Sequence, residues 1–270
     1  MIRRIALGLW AVFASLTARA AEKPTLKTRV WDVGSVKREA LVWVPEGAEQ
    51  TATPLVFGFH GHGGSMQNAA NSFRLHQLWP EALVVYLQGL KTPGQLTDPD
   101  GMRAGWQAKL GDQDDRDLKC FDAVLKSLKT DYKVDEKRIY STGHSNGGGF
   151  TFLLWANRGE VFAAVAPSAA IPAKGNWSGF QPKPVLHLAG ENDRLVKFEW
   201  QKLSIEAARK LNGCESAGKP WATAGDLKGT LYPSKTGTPL ITVIHPGGHT
   251  YPKEAPELIV KFFREQAKSE

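Results

Sequence analysis

The sequence predicts an α/β protein built on one mostly parallel, doubly wound sheet with helices on both faces. Three observations predict it. Apolar runs without a helical period, such as Pro54-Leu-Val-Phe-Gly-Phe59, read as strands buried on both sides. Stretches of helical period separate them, as in Asp115 to Leu128 with its stripe Leu118, Phe121, Val124, Leu125 and Leu128. The third is a strand, sharp turn and helix over Arg138 to Trp155, whose turn is Gly143-His-Ser-Asn-Gly147. With 270 residues and 42% hydrophobic content, the chain is long enough for one large domain with a closed core. It shows no repeat of fixed period and no low-complexity tract.

Taken in order, the chain begins with Arg3 and Arg4, an apolar run from Ile5 to Leu16, and Ala18-Arg19-Ala20. That pattern reads as a signal peptide over residues 1–20, too short to span a membrane, followed by one domain over 21–270. Export to the periplasm or beyond is expected, with no membrane contact after cleavage. Loss of Arg3, Arg4 and Arg19 takes the formal charge from +7 to +4. This is a mildly basic solvated surface, and no nucleic-acid motif accompanies it. Thr28 to Val33 and Lys37 to Val44 alternate around Gly34-Ser35 as an edge hairpin. The strand ending at Phe59 empties into His60-Gly-His-Gly-Gly-Ser65, then a helix is expected over Asn68 to Leu78 and a strand over Ala82 to Tyr86. Further strands are predicted at Arg138 to Thr142, Phe162 to Val165, Pro184 to Leu188 and Leu240 to His245. Helices are predicted at Asn146 to Trp155, Phe198 to Leu211 and Pro256 to Gln266. Right-handed crossovers then bring the loops after the strands to one rim, where ligands bind.

The chemistry sits on that rim. Strand, G-x-S-x-G and helix together make the nucleophile elbow of an α/β-hydrolase, with Ser145 at its apex. Gly143 and Gly147 supply the room that the tight turn needs. A serine hydroxyl is a poor nucleophile until a base takes its proton, and the base needs an orienting acid. In this fold they follow in the order serine, acid, histidine. Asp193 is the candidate acid, after a buried strand and before Leu195-Val196, which lets the loop fold back over it; Glu191 is its nearest rival. His249 is the candidate base, on the loop Pro246-Gly-Gly-His-Thr-Tyr-Pro252 after the last strand. The oxyanion of acyl transfer needs aimed donors. The backbone N–H groups of Asn146 and of His62, in the Gly-rich turn, are the candidates. No cofactor and no metal are expected: His60 and His62 lack a third ligand at metal spacing. His144 reads as a packing residue.

These pieces resemble the secreted esterase family that joins polyhydroxybutyrate depolymerases with feruloyl and acetylxylan esterases of the first carbohydrate-esterase type. The matching runs are His60-Gly-His-Gly-Gly64, Gly105-Trp106-Gln107, Val134-Asp135 with Arg138-Ile139-Tyr140, Gly143-His-Ser-Asn-Gly-Gly148, Asn192-Asp193 and Gly247-Gly-His-Thr-Tyr-Pro252. The resemblance implies Ser145 as nucleophile, Asp193 as acid and His249 as base. The chain departs at His62, where family members often carry another residue. The family often pairs the cysteine of Asn-Gly-Cys with a downstream one, and here none follows Cys214. Cys120, on a helix, is the other cysteine, and the spacing does not show the two to meet.

Gln88 to Asp112 holds Pro93, Pro99 and five glycines, an irregular loop of the kind that carries function. Trp106 within it and Tyr251 beside His249 are expected to wall an aryl or acyl pocket; a tryptophan that only covers the core is the other reading of Trp106. A soluble feruloyl or acetyl ester, small or linked to plant polysaccharide, is the expected substrate, since no polymer-gripping module follows the closing helix. A polyhydroxyalkanoate depolymerase is the alternative. A monomer is expected. A prolyl-oligopeptidase-type peptidase would carry a large extra domain, a lipase an apolar lid, and a binding protein would have little use for all three reactive side chains.

Overall fold

The structure is a computed structural model that describes residues 25–268; the expected signal peptide over 1–20 lies outside the described residues. In chain order the elements are β1 (Lys27–Val33), β2 (Val36–Trp43), β3 (Thr53–Phe59), α1 (Met66–Phe73), α2 (Leu75–Leu78), β4 (Leu83–Leu87), β5 (Leu90–Lys91) and β6 (Ala104–Gly105). They continue with α3 (Arg116–Asp131), β7 (Val134–His144), α4 (Asn146–Arg158), β8 (Ala164–Ser168), β9 (Val185–Gly190) and α5 (Phe198–Leu211). The last four are β10 (Lys219–Ala224), β11 (Leu227–Tyr232), β12 (Leu240–His245) and α6 (Ala255–Arg264).

Ten strands form one sheet in the order β1-β2-β4-β3-β7-β8-β9-β12-β11-β10. Its centre, from β4 to β12, is parallel, and antiparallel hairpins flank it at both edges. Central strands are buried on both sides, yet their side chains still divide by the period of two. Leu55, Phe57 and Phe59 join the core under α3, α4 and α5. Val56, Val84 and Tyr86 join the core under α1, α2 and α6. Both layers of the doubly wound fold are therefore in place, and β3, β7, β9 and β12 all end on one rim.

Two departures from the expected elements have local causes. The single helix expected over Asn68 to Leu78 is broken at Arg74, whose backbone is left-handed (φ 46°), so α1 ends there and α2 begins in a new direction. The hairpin β10–β11 was not expected, because Pro220 and alternate solvent exposure dilute its strand pattern. Its two-residue turn Gly225-Asp226, with Gly225 at φ 55°, is the signal that marks it. Both cysteines are free thiols. Cys120 is buried on α3 and its thiol is pushed up to about 11 by burial, while Cys214, past the end of α5, directs its thiol to Thr238 O (3.7 Å).

Candidate functional site

The elbow is built by contacts no side chain could share. A Cβ on Gly143 would lie 2.3 Å from the carbonyl oxygen of Gly147, and one on Gly147 would lie 2.1 Å from that of Phe59. Glycine at both positions lets β7 turn directly into α4. Ser145 at the apex takes φ 56° and ψ −122°, a conformation that L residues rarely adopt and that survives only where the surroundings over-determine it. Its N–H donates to Ser168 O of β8 at 2.8 Å, which fixes the turn to the neighbouring strand.

The loops after β9 and β12 meet by a second close approach. A Cβ on Gly190 would lie 2.3 Å from Gly248 O, so glycine there lets the loops touch. Asn192 ties them together, its N–H donating to Gly247 O (3.1 Å) and its side-chain amide to Pro246 O (2.6 Å). Asp193 and His249 are thereby brought side by side. His249 Nδ1–H donates to Asp193 Oδ2 at 2.8 Å, and Ser145 Oγ–H donates to His249 Nε2 at 2.7 Å. The tautomer follows from the acid: a carboxylate only accepts, so the proton sits on Nδ1 and the Nε2 lone pair faces the serine. Three residues 48 and 56 positions apart in sequence are thus joined in one row of hydrogen bonds.

Asp193 is held for that task. Its other oxygen accepts the N–H groups of Leu195 and Val196, both at 2.9 Å, so the loop folds back over it. Gln201, fully buried on α5, adds a third donor at 3.1 Å to Oδ2 and also holds Val196 O. Gln201 is a supporting residue that the sequence reading missed. Glu191 is exposed, and its backbone N–H is spent on His245 O. His144 packs its ring 5.1 Å from that of His249 and bonds Ser168 Oγ through Nδ1 (3.1 Å). Burial first, then the nearby His249, drive its pKa down to about 3, so it stays neutral beside the base.

The Gly-rich turn after β3 lies against the elbow, and the N–H groups of His62 and Asn146 have no hydrogen-bond partner among the described residues. His60 is buried within it and neutralised by burial; its Nδ1–H donates to Gly61 O (2.8 Å) and its Nε2 accepts from Gly89 N–H (2.9 Å). The His62 imidazole bonds Asp98 Oδ2 through Nε2 at 2.9 Å.

Ser145 opens into a cavity of about 420 Å³ whose apolar walls are Leu96, Ile171, Leu195, Val196 and Trp200. Neither expected aromatic wall residue is among them. Trp106 is 1% exposed and lies in the core, stacked on Phe150 of α4 at 5.2 Å and set edge-on to Phe59. Its indole N–H donates to His60 O (2.8 Å), while the Asn146 side chain clamps its backbone, accepting from Trp106 N–H (2.7 Å) and donating to Trp106 O (3.1 Å). A ring that large gains more from the core between β3 and α4 than from a half-open wall. Tyr251 likewise packs inward on Phe73 (4.9 Å) and edge-on to His144, and its hydroxyl is buried without a partner among the described residues. Trp106→Ala should therefore lower the unfolding free energy by about 3–5 kcal/mol and slow all esters alike. Denaturant unfolding with paired methyl ferulate and p-nitrophenyl acetate assays checks this; a loss confined to ferulate would return Trp106 to the pocket.

The wall that the sequence reading missed is Trp200. It and Leu203 sit one turn apart on α5, 38% and 70% exposed, while Gln201 and Ser204 of the same helix are buried. A helix that turns its apolar residues outward and its polar ones inward is the pattern that could have pointed there.

The probable feruloyl esterase C of Aspergillus clavatus is 30% identical over 224 residues, covering 78% of this chain and 75% of that protein. The chain belongs to the feruloyl esterase-like family of α/β-hydrolases. As a member of this esterase family it is a carboxylic ester hydrolase. Feruloyl esterase C of Emericella nidulans is 26% identical over 263 residues, covering 92% of both chains. The prolyl oligopeptidase family model matches residues 103–174, the stretch that holds the elbow. Among solved structures, a feruloyl esterase module of Clostridium thermocellum in complex with sinapinate superposes with TM-score 0.62 at 13% identity, over 90% of this esterase and 88% of that chain. The acetyl xylan esterase of Aspergillus awamori has TM-score 0.62 at 16% identity, over 88% and 99%. At such identities these two speak for the fold. No helix among the described residues of the esterase is long and apolar enough to cross a membrane.

Proposed function

We propose that the esterase cleaves hydroxycinnamate esters of plant polysaccharide, or soluble esters like them, through an acyl-enzyme on Ser145. The row Ser145–His249–Asp193 beside an apolar cavity with Trp200 in its wall carries this reading. His249 Nε2 takes the Ser145 proton as Oγ attacks the ester carbonyl. The oxyanion forms against the N–H groups of His62 and Asn146. His249 then returns the proton to the departing alcohol, and a water deprotonated by the same nitrogen releases the acid. Asp193 holds the working tautomer and offsets the charge on His249 in each step. The relatives named for feruloyl esters and the export signal read in residues 1–20 agree with a secreted or periplasmic enzyme that meets plant-wall fragments. We propose that it works as a monomer, without cofactor or metal.

The planar acyl group would stack on Trp200. Such a contact contributes about 0.5–1.5 kcal/mol beyond area burial, so Trp200→Ala should raise KM for methyl ferulate about two- to tenfold and leave p-nitrophenyl acetate nearly unchanged. Steady-state kinetics on both esters tests the reading. Hydroxybutyrate oligomers cleaved much faster than either ester would replace ferulate with a polyhydroxyalkanoate as the substrate.

A further inference from the structure

The loop from Pro93 to Arg103 forms one wall of the cavity through Gly94, Gln95, Leu96, Thr97 and Arg103. It is folded around a single carboxylate. Asp98, at φ 57°, accepts the N–H of Met102 on Oδ1 (3.1 Å) and that of Arg103 on Oδ2 (2.9 Å), while its carbonyl accepts from Gly94 and Gly101. The same Oδ2 accepts His62 Nε2–H at 2.9 Å. Among the described residues, this is the one hydrogen bond or ion pair that joins residues 94–102 to chain outside the loop.

The imidazole is also wedged between the two legs of the loop. A Cβ on Gly94 would lie 3.2 Å from His62 Nε2, and one on Gly105 would lie 2.6 Å from His62 Nδ1. The His62 hydrogen bond, with the N–H groups of Arg103 and Met102, holds the Asp98 carboxyl well down, at about 2. Leu96 is 51% exposed and projects from a segment with no other polar anchor. The His62–Asp98 contact is therefore, among the described residues, the one direct polar link from residues 94–102 to the turn beside the elbow.

We propose that the His62–Asp98 contact is a selectivity tether: it fixes the Gly94–Thr97 wall against which a large acyl group packs. An acetyl group, seated beside Ser145, does not reach that wall. His62 and Asp98 are positioning residues in this role, and the inference rests on reading the cavity as the acyl pocket. Asp98→Ala removes the tether, together with the acceptor for the N–H groups of Met102 and Arg103. Asp98→Leu keeps most of the volume and offers no acceptor, so it carries the same expectation should the alanine variant fail to fold. His62→Gln can place its amide nitrogen where Nε2 sits and keep the bond.

The test is steady-state hydrolysis of p-nitrophenyl acetate, p-nitrophenyl octanoate and methyl ferulate by the full chain. In both Asp98 variants KM for octanoate should rise about tenfold, the worth of roughly two methylene contacts, with kcat and the acetate constants within about twofold of wild type. His62→Gln should keep the wild-type octanoate-to-acetate ratio. An equal fall in kcat on both esters would overturn the proposal, since the contact would then act on the oxyanion turn. An unchanged octanoate-to-acetate ratio in the Asp98 variants would overturn it as well. Wild-type failure on methyl ferulate, with octanoate responding as expected, would remove the ferulate reading and leave the tether standing.

Discussion

Ser145→Ala is expected to lower kcat by about 10³-fold or more on every ester, while the unfolding midpoint stays close to wild type. The expected loss is large because Oγ is the atom proposed to form the acyl bond. What would remain is binding and the N–H groups of His62 and Asn146, proposed as oxyanion donors, which would still favour attack by water. The fold should tolerate the change, because the elbow is set by Gly143, Gly147 and the bond from Ser145 N–H to Ser168 O, none of which uses the hydroxyl. Assays with and without EDTA complete the test. The chelator should leave the wild-type rate unchanged, and near-normal turnover by the alanine variant would refute the nucleophile assignment.

Asp193→Asn should cost about 10⁴-fold in kcat. An amide placed at Oδ2 would present hydrogens to His249 Nδ1, favouring the tautomer that turns Nε2–H toward Ser145 and leaves no lone pair to take its proton. Glu191→Gln should stay close to wild type, since Glu191 is exposed and its backbone is engaged elsewhere. The reverse ranking of the two variants would move the acid to Glu191.

The central strands with their helices, and the placing of Ser145, Asp193 and His249 on one rim, were legible in the sequence for a physical reason. Each depends on local pattern: apolar runs of strand length, glycines where a Cβ cannot fit, and reactive residues placed just after strands. The aromatic wall was not legible, because it depends on which way a ring points. Trp106 sits in a glycine-rich loop, as a pocket residue would, but its indole N–H finds His60 O and its ring finds Phe150 in the core. Trp200 looked like one more residue of an ordinary helix, until the burial of Gln201 and Ser204 showed which face of α5 is turned inward. Gln201 escaped notice because its partner Asp193 lies outside the helix, and no spacing rule links a helix residue to the loop before it. The Asp98–His62 contact spans 36 positions and joins two irregular segments, where sequence periodicity carries no information.

The most direct test of this account is covalent labelling with an aryl fluorophosphonate, followed by peptide mass spectrometry and residual-activity measurement. One adduct is expected, on the peptide that contains Ser145, with loss of hydrolysis in proportion to labelling and no adduct in Ser145→Ala. Full hydrolysis without labelling, or inactivation through an adduct on another residue, would contradict it.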